Sequence, residues 1–296
     1  MKPELSVIIV SFNTKEVTLA CLTSLYQHTT DLDFEVVIVD NGSTDGTVDE
    51  LTKFTKSHNN ATLIPSSINL GFGNANNLGA KNAAGQYFLF LNSDTVLTAN
   101  ILPKCLARAR ASKVGVYSCG LVNIDGTPQV SGGRFPNLGR LIAWQFFIDD
   151  LPLIGRKIGS IHPRFSSPIV DWVTGAFMLI PAAVFKKIGG FDENIFMYTE
   201  EVELCYRIKK LGHPVVLDQS TIITHLGGAS GGTYLALTKE VEGWLYFWQK
   251  YLPSRQLALV KLIFFSGSLL RLIIFGIIKA DVTARKSYLQ ILRLVA

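Results

Sequence analysis

The sequence predicts an α/β fold, a sheet covered by helices on both faces, and three observations carry that prediction. Runs rich in β-branched residues recur through residue 121, separated by segments with apolar residues at helical spacing. The runs are apolar throughout instead of alternating, as strands buried on both faces are. The three strongest of them lead into polar clusters: Ser11-Phe12-Asn13, Asp40-Asn41-Gly42-Ser43 and Asn92-Ser93-Asp94.

Residues 5–10 (LSVIIV) read as the first strand, and Lys15–Gln27 as a helix with Val17, Cys21, Leu22 and Leu25 on one face. Residues 34–39 (FEVVIV) form the second strand, closed by the Asp40-Asn41-Gly42-Ser43 turn. A helix over 47–56, a short strand over 62–64 and a helix over 74–84 come next, and residues 87–91 (YFLFL) are another fully apolar strand. Residues 122–170 carry Gly, Pro and aromatics without a clean period and predict a long, partly irregular insertion. Regularity returns with a strand over 172–180, helices over 182–188 and 200–211, and short strands over 215–217 and 222–224.

Composition narrows the functional classes. With 296 residues, 48% apolar and 17% charged, the chain can bury a sizeable core and is not a disordered segment. A net charge of +5 suits an anionic ligand or an acidic membrane surface and gives no argument for nucleic acid. Cys21, Cys105, Cys119 and Cys205 show no paired or zinc-type spacing, which predicts free thiols in a reducing compartment. The first residues lack a basic region followed by an apolar one, so a cytoplasmic start is expected.

The mean hydropathy of +0.29 owes its excess to residues 257–278, where Lys261 and Arg271 interrupt an otherwise nearly apolar run. At roughly 100° per residue, Lys261, Ser268, Arg271 and Lys279 fall within about 80° of one another. Three placements stay open: an in-plane membrane helix, a helix packed on the rest of the chain or on a second copy, and a spanning helix. Residues 251–296 are accordingly expected to form a helical membrane-association or oligomerisation segment beyond a domain of residues 1–250.

In an open parallel sheet, ligands bind beyond the carboxyl ends of the strands. Capping explains any one of the three polar strand ends, but it gives no reason for acids at two of them. A nucleotidyltransferase is one reading of such a crevice. It would call for a Gly-rich loop with a basic residue after the first strand, and VSFNTKE offers none.

The strings VIIVSFN, VIVDNGSTDGT, NLGFGNANNLG and FLFLNSDT resemble the donor half of family 2 glycosyltransferases, inverting enzymes of GT-A fold. The later stretches WVTGAFMLIPAAVFKKIGGFDENIFMYTEEVELCYRIKKLG and THLGGAS resemble its acceptor half. The likeness runs in order over about residues 5–231. Within the family it is nearest to bacterial rhamnosyltransferase-like enzymes that build polysaccharide on lipid carriers.

The resemblance implies a GT-A mixed sheet with residues 1–121 as donor half and 122–250 as acceptor half. It implies a nucleoside-diphosphate sugar donor, a glycan or polyprenyl-linked acceptor, and Mg²⁺ or Mn²⁺. Donor contacts then fall to Ser11, Asn13, Asp40, Asn41, Gly71, Asn74, Asn77, Asn92 and Ser93, with Asp40 accepting from a pyrimidine N3–H. Asn92-Ser93-Asp94 takes the place of the family's DxD motif, which leaves Asp94 as the carboxylate for the metal and His225 as its second ligand. Gly227, Gly228 and Ser230 would let the backbone approach the phosphates.

Glu201 stands where the family has its Asp base, one methylene longer, and Glu200 is the alternative. Trp172 and Thr174 map to the acceptor side, where Trp172 either stacks on a sugar or fills the core. The implied location is cytoplasmic, peripheral on the inner face of the cell membrane, and a homo-oligomer is compatible with it. Because Asn92 and Glu201 depart from the family's acids, a catalytically silent scaffold of the same fold is the rival from another class. A processive synthase is disfavoured by the absence of a QxxRW string and of a set of spanning helices.

Overall fold

The computed structural model describes residues 2–151, 170–227 and 233–296. Strands β1 (Leu5–Ser11), β2 (Phe34–Asp40), β3 (Ala61–Pro65) and β4 (Tyr87–Asn92) pair in parallel in the order β3-β2-β1-β4. Beyond β4 the sheet turns mixed. After β5 (Thr95–Val96) come β6 (Val116–Val122), β9 (Phe177–Pro181) and β10 (Val215–His225), and the order continues β4-β9-β6-β10-β5. Here β9 runs antiparallel to β4 and β6, and β5 antiparallel to β10. A separate two-stranded sheet joins β7 (Gly132–Gly133) to β8 (Trp172–Val173).

The period of two along each strand divides the core between the two faces. Val7, Ile9, Val36, Ile38, Leu89 and Leu91 pack on one face with α1 (Lys15–Gln27), α2 (Thr47–Ser57) and α4 (Leu102–Ala111). Ile8, Val37, Phe88 and Phe90 point to the other. That face is covered by α3 (Phe72–Lys81), α5 (Leu138–Gln145), α6 (Ala182–Lys187) and α7 (Glu200–Lys210), with α8 (Thr233–Tyr251), α9 (Leu257–Arg271) and α10 (Val282–Val295) beyond them. Both faces are dry, so the strands need no polar side and read as continuous apolar runs.

The expected strand over 172–180 is two elements. Its middle, Thr174-Gly175-Ala176, leaves the ladder to line a crevice. The two short strands expected over 215–224 are one, bulged between Asp218 and Ile222. Asp218 is drawn out of register by Arg108, Tyr117 and Ser220, all of which donate to its carboxylate.

The four cysteines are buried and unpaired. Burial pushes the Cys21 and Cys105 thiols up to about 11 and Cys205 to about 12, so they act as small apolar residues.

The C-terminal helices belong to the same core. Val260 and Phe264 of α9 and Tyr288, Ile291 and Val295 of α10 are buried with Trp244 and Trp248 of α8. The polar side of α9 faces inward: Ser268 is buried, and the Arg271 guanidinium donates to the carbonyls of Trp144 (2.5 Å) and Gln145 (3.3 Å) while lying over the Phe147 ring. A second apolar stripe of α9 faces out, through Leu259, Leu262, Phe265 and Leu269. It continues in Ile273, Ile277 and Ile278 of the wide π turn at Leu272–Ile278.

Candidate active site

The chain runs β1 to β3 outward on one side of β1, then crosses to place β4 on the other side. At such a reversal the connections diverge and leave an opening at the carboxyl ends of the strands. A crevice of about 380 Å³ lies there, lined by Asn41, Asn92, Ser93, Asp94, Thr174, Glu200, Glu201 and His225 among the residues singled out in the sequence. Phe12, Phe72, Phe196 and Tyr198 supply aromatic wall, and α8 contributes Ala236 and Lys239.

Asp94 and His225 meet because β5 pairs with the end of β10: His225 lies opposite Thr95, and Leu226 N–H donates to the Asp94 carbonyl at 2.8 Å. Asp94 Oδ1 is 3.2 Å from His225 Nε2, and Asn92 Nδ2 is 3.4 Å from the same nitrogen. Asn92 Oδ1 is buried without a partner. Among the described residues no group of three His, Cys, Asp or Glu gathers anywhere. A carboxylate oxygen and an imidazole nitrogen 3.2 Å apart fit neighbouring positions around a hard divalent cation that completes its shell with ligand oxygens and water.

The donor-side residues divide into those that face the opening and those that build its rim. Asp40 is 1% exposed; its Oδ2 accepts from Gly42 N–H (3.2 Å) and Ser43 N–H (3.0 Å), and its Oδ1 is left unpartnered. One oxygen shapes the turn; the other is buried without a partner, behind the residues that line the crevice. Asn41 bonds Asn69 through its amide nitrogen (2.9 Å) and accepts from Leu70 N–H (2.9 Å), tying the end of β2 to the loop before α3. Gly71 in that loop has φ +82°, and a Cβ there would overlap the Phe196 carbonyl, which accepts from Phe72 N–H at 2.9 Å.

Several expected contacts lie elsewhere. Ser11 is buried against the Thr14 and Thr18 hydroxyls. Asn13, at φ +51°, clasps the β2 turn, accepting from Thr44 N–H (2.7 Å) while its own N–H donates to Ser43 Oγ (2.9 Å). Asn74 donates to the Leu70 and Glu193 carbonyls, and Asn77 exchanges two hydrogen bonds with the Phe191 backbone. These four build the walls of the crevice and do not line it. Trp172 fills the core at 2% exposure, its indole N–H donating to the Arg134 carbonyl at 3.2 Å, while Thr174 does line the opening. Gly228 and Ser230 lie outside the described residues; Gly227 has φ +68°, open to a close backbone approach.

The two acids at the start of α7 differ in environment. Glu200 is 4% exposed, with Oε2 unpartnered; burial, and the neighbouring Glu201 charge after it, hold its carboxyl well above the ordinary value of 4.5. Glu201 is half-buried. The pair is aimed by a strained turn: Tyr198 and Thr199 both have positive φ, +67° and +70°.

That turn is held by α8, where Gly243 packs so close that a Cβ would overlap Thr199 Oγ1 and lie 2.8 Å from the Tyr198 carbonyl. Glu203, one helical step on, is fully buried and takes no part in the opening. It accepts from Arg207 Nε at 2.8 Å and from Lys250 at 3.1 Å, and also from the Tyr251 hydroxyl, locking α7 to α8.

Lys239 and Gln129 escaped the sequence reading. Lys239 pairs with Glu242 at 2.7 Å on a helix whose place beside the opening only the fold reveals. Gln129 lies in the stretch without a period. The one local signal there was the Asp125-Gly126 turn that precedes it.

Residues 6–166 match the family model described as glycosyl transferase family 2. The chain belongs to glycosyl transferase family 2 and is an inverting glycosyltransferase of GT-A fold. It is 28% identical over 238 residues to an N-acetylglucosaminyl-diphospho-decaprenol L-rhamnosyltransferase of Mycobacterium tuberculosis, covering 71% of this chain and 76% of that protein. It is 27% identical over 219 residues to the low-salt glycan biosynthesis hexosyltransferase Agl10 of Haloferax volcanii, spanning 71% of this chain and 63% of that protein. Its fold is also that of the mannosyltransferase PcManGT from Pyrobaculum calidifontis, solved with GDP-mannose and Mn²⁺. There the TM-score is 0.61 at 16% identity, over 100% of this chain and 86% of that one.

Proposed function

We propose that this enzyme transfers a hexose, with rhamnose the first candidate, from a nucleoside-diphosphate donor to a lipid-linked glycan acceptor, using a divalent cation. The observation that carries the reading is the Asp94–His225 pair at 3.2 Å, in the crevice that Glu200 and Glu201 also line. The naming of the mycobacterial relative as a rhamnosyltransferase on a decaprenyl-linked sugar supports the choice of sugar and acceptor. Asp94 and His225 would hold the cation, which when bound offsets the charge that builds on the departing diphosphate.

The chain's own groups do the rest. The aromatic wall excludes water. A carboxylate at the start of α7 takes the proton of the acceptor hydroxyl as the new glycosidic bond forms. Glu201 is the better placed for this: it is half-buried and lines the crevice, whereas Glu200 is 4% exposed and its burial disfavours the charged form that a base needs.

The outward apolar stripe of α9 supports a peripheral position on a lipid surface. Residues Ser254–Ile278 are long and apolar enough to cross a membrane by length and composition. Arg271, however, is committed to carbonyls inside the protein, and exposed Lys279, Arg285 and Lys286 follow the stripe in the chain, as suits an in-plane helix on anionic lipid.

The test is incubation with a panel of nucleoside-diphosphate sugars and Mn²⁺, with and without a polyprenyl-diphosphate-linked sugar. Acceptor-dependent release of nucleoside diphosphate is expected. Release of pyrophosphate would make the protein a nucleotidyltransferase, and no release with any donor would make it a scaffold.

A further inference from the structure

His225 has a built-in partner on the side away from the crevice. Its Nδ1 is 2.8 Å from Gln129 Oε1, and Gln129 Nε2 donates to the His225 carbonyl at 2.7 Å and to Asn123 Oδ1 at 2.6 Å. Gln129 thus grips both the ring and the backbone of one residue. The amide cannot be turned over. Its NH₂ faces two oxygen acceptors, and reversing it would set oxygen against oxygen twice.

With Oε1 facing the ring, Nδ1 must carry a proton and donate. In the neutral imidazole the lone pair then belongs to Nε2, the nitrogen that faces Asp94 Oδ1 at 3.2 Å and Asn92 Nδ2 at 3.4 Å. A lone pair set against a carboxylate oxygen is an arrangement that a cation between them relieves.

The loop that carries Gln129 is shaped for this task. After β6 the chain folds back through Asn123-Ile124-Asp125-Gly126-Thr127, where Asn123 N–H donates to the Thr127 carbonyl (2.8 Å) and Asp125 accepts from Thr127 N–H (2.9 Å). Gln129 N–H then returns to the Leu121 carbonyl at 2.8 Å, which fixes the backbone from which the side chain reaches His225.

We propose that Gln129 is a positioning residue that sets the tautomer and ring orientation of His225, so that Nε2 is presented to a divalent cation. The inference rests on the reading of Asp94 and His225 as metal ligands, and goes beyond it by naming the residue that makes His225 competent. An orienting partner of a ligating histidine typically contributes about 10–100-fold in metal affinity.

Two measurements test it. The first needs neither variant nor metal: long-range ¹H–¹⁵N correlation of the histidine rings in the wild-type protein, repeated at rising pH until the His225 ring carries a single proton. The His225 signals, assigned by their loss in His225→Ala, should show protonated Nδ1 and unprotonated Nε2. The opposite tautomer overturns the proposal.

The second is Mn²⁺ binding followed by electron paramagnetic resonance in wild type, Gln129→Leu and Gln129→Glu. Leu removes the acceptor for Nδ1–H, whereas Glu keeps it while setting its second oxygen against the Asn123 and His225 oxygens. Affinity should fall roughly 10–100-fold in Gln129→Leu and by less in Gln129→Glu. Wild-type affinity in Gln129→Leu overturns it. If wild type binds no Mn²⁺, the metal reading fails, and the tautomer measurement still decides what Gln129 does.

Discussion

Glu200 and Glu201 share a helix start, yet one is sealed and the other half-exposed, and this difference has a measurable signature in stability. A carboxyl whose pKa is raised by folding binds its proton more tightly in the native state than in the unfolded chain. Its contribution is fully present below the ordinary glutamate value of 4.5 and is lost as pH rises above it. Glu200→Gln, which keeps the shape without the proton to lose, should therefore raise the melting temperature at pH 7–8 and flatten its pH dependence. A lower melting temperature at pH 8 would contradict the burial argument.

Glu201→Gln should instead lower turnover by roughly 10²–10⁴ with donor affinity preserved, as loss of a general base does. Donor affinity falling together with turnover would assign Glu201 to the architecture of the helix start. The third acid of the run, Glu203, is a buried structural anion. Glu203→Ala should cost about 1–3 kcal/mol in denaturant unfolding, since it removes charge-assisted hydrogen bonds from Arg207 and Lys250, which keep the Ile188 and Gly190 carbonyls and Asp192 as their other partners. From sequence alone the three acids look interchangeable. Which of them is wet depends on α8, far along the chain.

At the scale of elements, the contact between Gly243 and the Tyr198-Thr199 turn decides where the acids point. In an unhindered helix, Gly→Ala is favourable by about 1 kcal/mol. Here the added methyl must displace backbone, and overpacking costs typically about 1–3 kcal/mol. Gly243→Ala should thus lower stability by about 1–2 kcal/mol in a denaturant melt and reduce kcat more than it changes the donor KM. A gain in stability would show that α8 does not clamp the turn.

The parallel strands β1, β2 and β4 and the helix α1 were legible because burial on both faces leaves an unmistakable apolar run, and their polar ends marked the crevice. The rest was hidden for physical reasons. The Thr174-Gly175-Ala176 interruption costs the strand little apolar character, so 172–180 reads as one run. The bulge in β10 has the opposite effect, breaking the pattern of a strand that is continuous. Asn13, Asn74 and Asn77 carry the chemistry of ligand contacts but spend it on neighbouring backbone, a commitment that depends on the partner loops. Gln129 and Lys239 lie in stretches whose relation to His225 is set by the fold.

Over the whole molecule, the C-terminal helices join catalytic crevice, core and outer surface. Val260 and Phe264 are wholly buried against the body of the enzyme, so removing residues 257–296 should expose core and cause aggregation. Surface attachment is better tested by the triple substitution Leu262→Glu, Ile273→Glu, Ile277→Glu on the exposed stripe. Co-sedimentation with phosphatidylglycerol vesicles should weaken by roughly an order of magnitude or more, since burying each such side chain is worth about 1.5–3 kcal/mol. Undiminished binding would take the stripe out of contact with lipid.

The central claim is that Asp94, fixed by the pairing of β5 with β10, anchors a cation on which sugar transfer depends. The most direct measurement is the initial rate of nucleoside diphosphate release against Mn²⁺ concentration, at saturating donor and lipid-linked acceptor, for wild type and Asp94→Asn. The wild-type rate should rise from near zero and saturate, and Asp94→Asn should stay near the metal-free baseline while retaining the wild-type melting temperature. A wild-type rate indifferent to chelator, or an Asp94→Asn enzyme with the wild-type Mn²⁺ response, would contradict it.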